Sequence, residues 1–248
     1  MAAVLTIGEI SCIPSKKLGV IFDSRESELL YRIECSYLKD YFNFYSSWES
    51  FKKDQAVCKD LVLTVGEISN SDSNGCIPLI LPIIKDRYFS ILKRKTEEAG
   101  VKITPILANN VCSTLEDIKE AFLMPALINL TLDELKVLGD SDYIFTYRGI
   151  SKNNLLDSAK MLQSIVESSL QELLDHQLNN LELKTLLIHV LGKEDLNIED
   201  VCKVFSFTLD LLNTLIKVNR ASIEGHFGVS AKNTEENRII LFLGLRKT

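Results

Sequence analysis

The C-terminal third of the chain carries the clearest hydrophobic pattern. An apolar run spans Leu183 to Leu191, followed by a turn at Gly192-Lys193. An amphipathic stretch comes next, then two further apolar runs, Ala221 to Val229 and Ile239 to Leu245. This predicts strand, helix, strand and strand, an open sheet backed by a helix. The helix over Ile198 to Ile216 takes Asn197 as its cap, with Glu199 and Asp200 favourably placed in the first turn. A second long helix runs from a cap at Ser151 to Leu174, its apolar positions Leu155, Ala159, Leu162, Val166, Leu170 and Leu173 falling on one face. Tyr143 to Tyr147 reads as the strand before it.

The first half alternates more quickly. Strands are predicted over Val4 to Ile10, Leu18 to Phe22, Leu61 to Ile68 and Val101 to Leu107, the last at a sheet edge because of Pro105. Between them, Ser24 to Phe51 reads as helical. Its rings Tyr37, Tyr41, Phe44, Tyr45, Trp48 and Phe51 form a 3.6-residue stripe. Such a stripe either packs on a sheet or offers an aromatic face to a partner, which makes a scaffold one reading of the chain. After Gly75, Pro78 is placed to open a helix that Pro82 would bend. A charged helix follows from Asp86 to Ala99. Ser113 or Thr114 caps a helix from Leu115 to Met124, and a short turn covers Leu132 to Leu138. Strands alternating with helices imply a mostly parallel α/β layer. VLTIGEIS (4–11) and VLTVGEIS (62–69) are near repeats, the first followed directly by Cys-Ile-Pro and the second by Cys-Ile-Pro after the polar loop NSDSNG (70–75).

Charge narrows the function. The 248 residues carry a net charge of −6 and a pI near 5.3, with no basic field of the kind nucleic acid requires. The six cysteines (Cys12, Cys35, Cys58, Cys76, Cys112 and Cys202) contain no C-x-x-C pair, which disfavours zinc and reads as free thiols in a reducing cytoplasm. The start of the chain lacks a basic n-region, so no signal peptide is expected there. No run approaches the ~18 apolar residues of a membrane span.

Candidate chemistry is sparse. No G-x-G occurs, and no G-x-S-x-G elbow. His189 reads as a strand packing residue, and neither it nor His226 has ligand spacing. The best phosphate-loop candidate is Asn70, Asp72, Ser73, Asn74 and Gly75, after the strand ending near Ile68. Glu9, Glu67 and Asp72 would each oppose a phosphate by roughly 1 kcal/mol or more at short range.

From Pro125 onward a succession of short motifs resembles the second half of the bacterial FtsZ cell-division GTPase, a tubulin relative. Ala126-Leu127-Ile128-Asn129 is similar to G-L-I-N, SDYIFTYRG (141–149) to a strand ending in glycine, and LLIHVLGKEDL (186–196) to v-L-x-x-I-x-G-G-x-D-L. NIEDV (197–201) resembles the next helix start, and Phe227-Gly228 and RIILFLG (238–244) the last two strands. The resemblance covers roughly the last 120 residues. It implies an α/β FtsZ/tubulin-like fold: a reduced N-terminal, mostly parallel α/β layer (1–112), a connecting helix and loop (113–139), and a C-terminal mixed sheet backed by helices (140–248). In that family, N-x-D-x-x-D enters the neighbouring subunit's nucleotide site. The matching positions here are Asn129, Thr131 and Glu134, one acid lost and the other lengthened. The glycine-rich loop is replaced by SNSDSNG (69–75) or missing. Little or no GTPase activity is therefore expected, and no cofactor, with GTP or GDP as the alternative. The implied partner is a second copy or an FtsZ/tubulin-like homologue, met through Asn129, Thr131 and Glu134.

Overall fold

A computed structural model describes residues 17–54, 57–65, 79–84, 103–108, 110–175, 181–193, 196–218, 223–232 and 234–247. The strands expected over Val4 to Ile10 and the helix over Asp86 to Ala99 lie outside them, as do Pro78 and the loop 66–78.

Ten strands form one sheet among the described residues. They are β1 (Lys17–Phe22), β2 (Phe42–Tyr45), β3 (Val57–Val65), β4 (Leu79–Ile84), β5 (Ile106–Leu107), β6 (Tyr143–Ser151), β7 (Leu181–Gly192), β8 (Lys217–Val218), β9 (Glu224–Ala231) and β10 (Asn237–Lys247). Their order is β2-β1-β3-β4-β5-β6-β10-β7-β8, with β9 also on β7. Pairings from β2 to β6 are all parallel. β10 then runs antiparallel between β6 and β7, making the second half mixed. Strands paired on both edges and covered on both faces need unbroken apolar runs, which is what β4 (LILPII) and β10 (NRIILFLGLRK) supply.

Helices cover both faces. One face carries α1 (Arg25–Glu34), α3 (Val111–Ile118, continued by a wide turn, Lys119–Leu123) and α4 (Leu132–Leu138). The core here includes Leu38, Phe42, Leu115, Ile118, Leu135 and Phe242. The other face carries α2 (Trp48–Lys53), α5 (Leu155–Asp175) and α6 (Ile198–Leu215) over Phe51, Leu162, Val166, Val204 and Leu212. Asn197 caps α6 as expected, its Oδ1 accepting from Glu199 N at 2.9 Å.

Several expectations are corrected. Ser24 to Phe51 is not one helix. α1 ends at Glu34, a single turn covers Ser36–Leu38, and Phe42–Tyr45 is a strand on β1. The aromatic spacing suits a helix, but the rings divide between elements. Phe44, Tyr45, Trp48 and Phe51 are buried, and Tyr37 is half-exposed, so no aromatic helix face exists for a scaffold. Leu79–Ile84 is a buried strand, not a helix. Pro82 is tolerated because its nitrogen faces the side on which the carbonyls of Ile80 and Ile84 accept from Thr104 N (3.1 Å) and Ala108 N (3.0 Å). On that side the partner is interrupted at Thr104-Pro105, where no donor is needed. Pro105 does not mark an edge: β5 lies between β4 and β6, and the Pro105 carbonyl accepts from Ile144 N at 2.9 Å. Caps move upstream or downstream by three residues. Asn110 caps α3 in place of Ser113, and Asn154 precedes α5 while Ser151 stays in β6, opposite Asn237. Finally, Cys35 and Cys112 are joined in a disulfide, where free thiols were expected; Cys202 is free and exposed. No described helix is long and apolar enough to cross a membrane.

Gly149, two residues before the end of β6, sets the seat of α5. A Cβ on Gly149 would lie 2.2 Å from the Ser158 carbonyl oxygen and 2.9 Å from Leu162 Cβ. Gly149→Ala should therefore cost about 3 kcal/mol in urea unfolding, because the obstruction is backbone. Gly225→Ala, whose Cβ would meet nothing nearer than Phe205 Cζ at 3.5 Å, should stay within about 0.5 kcal/mol. Equal midpoints for the two variants would refute this account of the packing.

Candidate functional site

Ligands of doubly wound sheets sit beyond the carboxyl ends of the strands, where the strand order reverses. Here the chain passes from β1 outward to β2 and returns to β3 on the other side, so the reversal lies between β1 and β3. The two strand ends are tied together, Asp23 N donating to Val65 O at 3.1 Å.

The turn from β1 into α1 is only Asp23-Ser24 and contains no glycine. A helix N-terminus attracts phosphate through N–H groups left without partners. At α1 one of these is already taken, Ser24 Oγ accepting from Ser27 N at 3.1 Å, and Glu26 and Glu28 lie in the first turn. Acids in the first turn oppose a further negative charge there, although Glu28 is paired with Arg32. The other candidate wall, Asn70, Asp72, Ser73, Asn74 and Gly75, follows β3 in sequence and lies outside the described residues.

The second group lies across the sheet. Leu127 N and Ile128 N donate to Val229 O at 2.7 and 3.1 Å, and Val229 N donates to Ile128 O at 2.8 Å, docking the loop on β9. Asn129 Oδ1 closes the loop by accepting from Ala126 N at 2.8 Å. Thr131 is the cap of α4, and Glu134 completes a capping box by accepting from Thr131 N at 2.7 Å and from the Thr131 hydroxyl. One carboxylate oxygen of Glu134 is thus occupied with folding the helix. The other is 4.0 Å from His226 Nδ1, whose Nε2 lies 3.3 Å from Glu224 Oε1. The three positions come together as one turn, with Leu127 and Asp133 exposed beside them. A general base needs a lone pair free toward water, and Glu134 spends one of its oxygens on the cap.

Behind this turn lies a buried histidine. His189 Nε2 is 3.1 Å from Ser230 Oγ, and Nδ1 has no hydrogen-bond partner. A Cβ on Gly228 would come within 2.7 Å of that Nδ1 and 3.2 Å of Ile128 O, so Gly228 lets strand, histidine and loop meet.

Sequence reasoning missed the ionic cluster that fixes α3. Arg148 donates to Asp117 Oδ1 from Nε (2.6 Å), to Glu116 Oε2 from Nη1 (2.9 Å) and to Ser113 O from Nη2 (2.8 Å). Burial pushes the Asp117 carboxyl up to about 7 against the pull of Arg148 and Arg238, while Arg148, against its own burial, is raised by Asp117 and Glu116. Lys119 and Lys232 flank Glu120, and together they hold its carboxyl low against burial. With a cap at Ser113, Glu116 and Asp117 read as first-turn acids. With the cap at Asn110 they lie past that turn, and an arginine in β6 is the signal that explains them. Among the described residues no three His, Cys, Asp or Glu side chains are placed to share a metal ion.

Burial lowers His189 from 6.5 to about 4. Between those values the unfolded chain holds a proton that the folded chain refuses, so stability falls as pH drops from about 6.5 toward about 4 and levels below. The loss should approach 3 kcal/mol, or about 1.4 per decade in pH. His189→Gln should lack this part of the profile. Urea unfolding of both proteins at pH 7 and pH 4 gives the difference; parallel profiles would sink the assignment.

No family model matches the chain, and no curated protein matches it in sequence. Solved structures do. The empty FtsZ dimer of M. jannaschii superposes with a TM-score of 0.58 at 12% identity, over 94% of this chain and 92% of that one. TubZ of Bacillus thuringiensis serovar israelensis, in GDP-form protofilaments, gives 0.59 at 10% identity, over 94% and 86%. A TubZ of type III plasmid segregation gives 0.51 at 11%, over 90% and 71%. The chain has the FtsZ/tubulin-like fold.

Proposed function

We propose that the chain is a non-catalytic FtsZ/tubulin-like protein that associates with itself or with a filament-forming homologue, in a cytoplasmic system of the cell-division or cytoskeletal type. The observation that carries the reading is the β1–α1 connection: two residues, no glycine, a helix start already capped and acids beside it. A triphosphate needs open backbone amides at that place. The structural relatives are a dimer and protofilaments by their descriptions, which supports the reading that this chain, sharing their fold, pairs with its like. Asn129, Thr131 and Glu134 form the turn we assign to the partner, with exposed Leu127 beside it. A second reading, a divergent nucleotide binder, is favoured by one fact: the 70–75 loop follows the strand that borders the strand-order reversal.

Three measurements separate them. The purified chain should turn over GTP no faster than a buffer blank. GTP, GDP and ATP should leave thermal unfolding unshifted, whereas a ligand at 100 times its Kd would add about 2.7 kcal/mol. The chain should pellet on sedimentation, alone or with a cognate polymer, and Leu127→Glu, exposed at 69%, should abolish pelleting without lowering Tm. Absence of pelleting under both conditions, or GTP turnover above the blank, would overturn the proposal.

A further inference from the structure

The disulfide joins Cys35 and Cys112, 77 residues apart in sequence, with Cα atoms 5.8 Å apart. Its two ends differ in what depends on them. Cys112 is the second residue of α3, which is anchored without it: Val111, Thr114, Leu115, Asp117 and Ile118 are buried, and Arg148 grips its acids. Cys35 is the residue that ends α1, and no residue of α1 is buried. Leu29, Leu30 and Ile33 are 51, 53 and 75% exposed. The noncovalent ties of α1 include Tyr31 stacked on Phe22 at 5.3 Å and Arg32 donating to the Phe44 carbonyl at 2.8 Å. A ten-residue helix without a buried face has little stability of its own. Its position therefore leans on the covalent bond.

We propose that Cys35–Cys112 is a redox-operated clasp: a dithiol reductant opens it and releases α1 locally while the sheet stays folded. Cys35 is fully buried and Cys112 partly exposed, so the reductant's thiolate attacks Cys112 Sγ. A mixed disulfide forms there and Cys35 leaves as a thiolate that takes up a proton. The reductant's second thiol then displaces Cys112 as a thiol and closes a cyclic disulfide. Two electrons and two protons pass from dithiol to protein. The released helix begins at Arg25, just after the Asp23-Ser24 turn at the strand-order reversal, so the clasp acts on that turn from the far end of the helix. Disulfides in reducing compartments are typically transient and sensing ones, so a cytoplasmic setting agrees with a clasp more than with a permanent staple. The proposal holds whether or not the chain assembles.

The test uses the full chain purified without reductant, compared with the same protein treated with dithiothreitol. Alkylation read by mass spectrometry should modify Cys202 in both samples, and Cys35 and Cys112 only after treatment. Hydrogen exchange over Arg25–Glu34 should then quicken by about tenfold or more while that of Asn237–Lys247 holds. Cys112→Ser, without reductant, should reproduce the treated pattern. Free Cys35 in untreated protein, unchanged exchange in α1, or exchange rising equally in α1 and β10 would each overturn the clasp, the last by showing a staple for the whole fold.

Discussion

The structure depends on β10 being hydrogen-bonded along both edges. Ile239, Ile240, Leu241, Phe242, Leu243 and Leu245 are fully buried, each worth about 1.5–3 kcal/mol of burial. Burial of that kind is affordable only if no backbone group is stranded. β6 lines one edge from Tyr143 to Ser151 and β7 the other from Leu181 to Leu191. Because β10 runs antiparallel to both, it welds a parallel half to the β7–β9 half as a single sheet. Ile239, Leu241, Leu243 and Leu245 then demand helices on one face, and Ile240 and Phe242 on the other. α5 and α6 meet the first demand. α3 and the chain up to α4 meet the second, which is how the 126–134 turn comes to rest against β9.

What the sequence made legible follows from this burial. Long apolar runs declare β3, β7 and β10, and the single-faced pattern of α5 holds from Leu155 to Leu170 because the hydrophobic period is the force that seats it. Short elements were misread where local and tertiary preferences compete. Phe44, Tyr45, Trp48 and Phe51 have helical spacing, yet Phe42 and Phe44 face one side of a strand and Tyr45 the other; pairing with β1 decided the matter. The Ser46-Ser47 pair, with Ser47 capping α2, was the available warning. Ser113 and Ser151 are sound caps in isolation. Asn110 and Asn154 displaced them, the latter because β10 holds Ser151 in the sheet. The Cys35–Cys112 bond and the Arg148 cluster were out of reach, since each joins residues more than thirty positions apart and no short spacing announces them.

At the strand-order reversal, the decisive quantity is room. A phosphate-binding turn must let backbone amides approach an anion, and that takes several residues without obstructing side chains. Asp23-Ser24 is the shortest of connections, and each of its residues is committed: Asp23 N to Val65 O, Ser24 Oγ to Ser27 N. The hydrogen bond that caps α1 takes up one donor that an anion could otherwise use. Helix capping and anion binding are competing uses of the same donors, so a chain that satisfies the cap internally has reduced what the site can offer a ligand.

The 126–134 turn follows the opposite logic. Its shape is held by three backbone hydrogen bonds to Val229, by Asn129 and by the capping box, and it fits only because Gly228 has no side chain to strike His189 or Ile128. A turn held this firmly is ordered before any contact is made. A surface fixed before contact loses little entropy on binding, so its affinity is not spent on ordering itself. Glu134 is part of that fixing: its Oε2 accepts two hydrogen bonds from Thr131. The second oxygen, Oε1, faces His226 Nδ1 at 4.0 Å, so one carboxylate joins the start of α4 to β9.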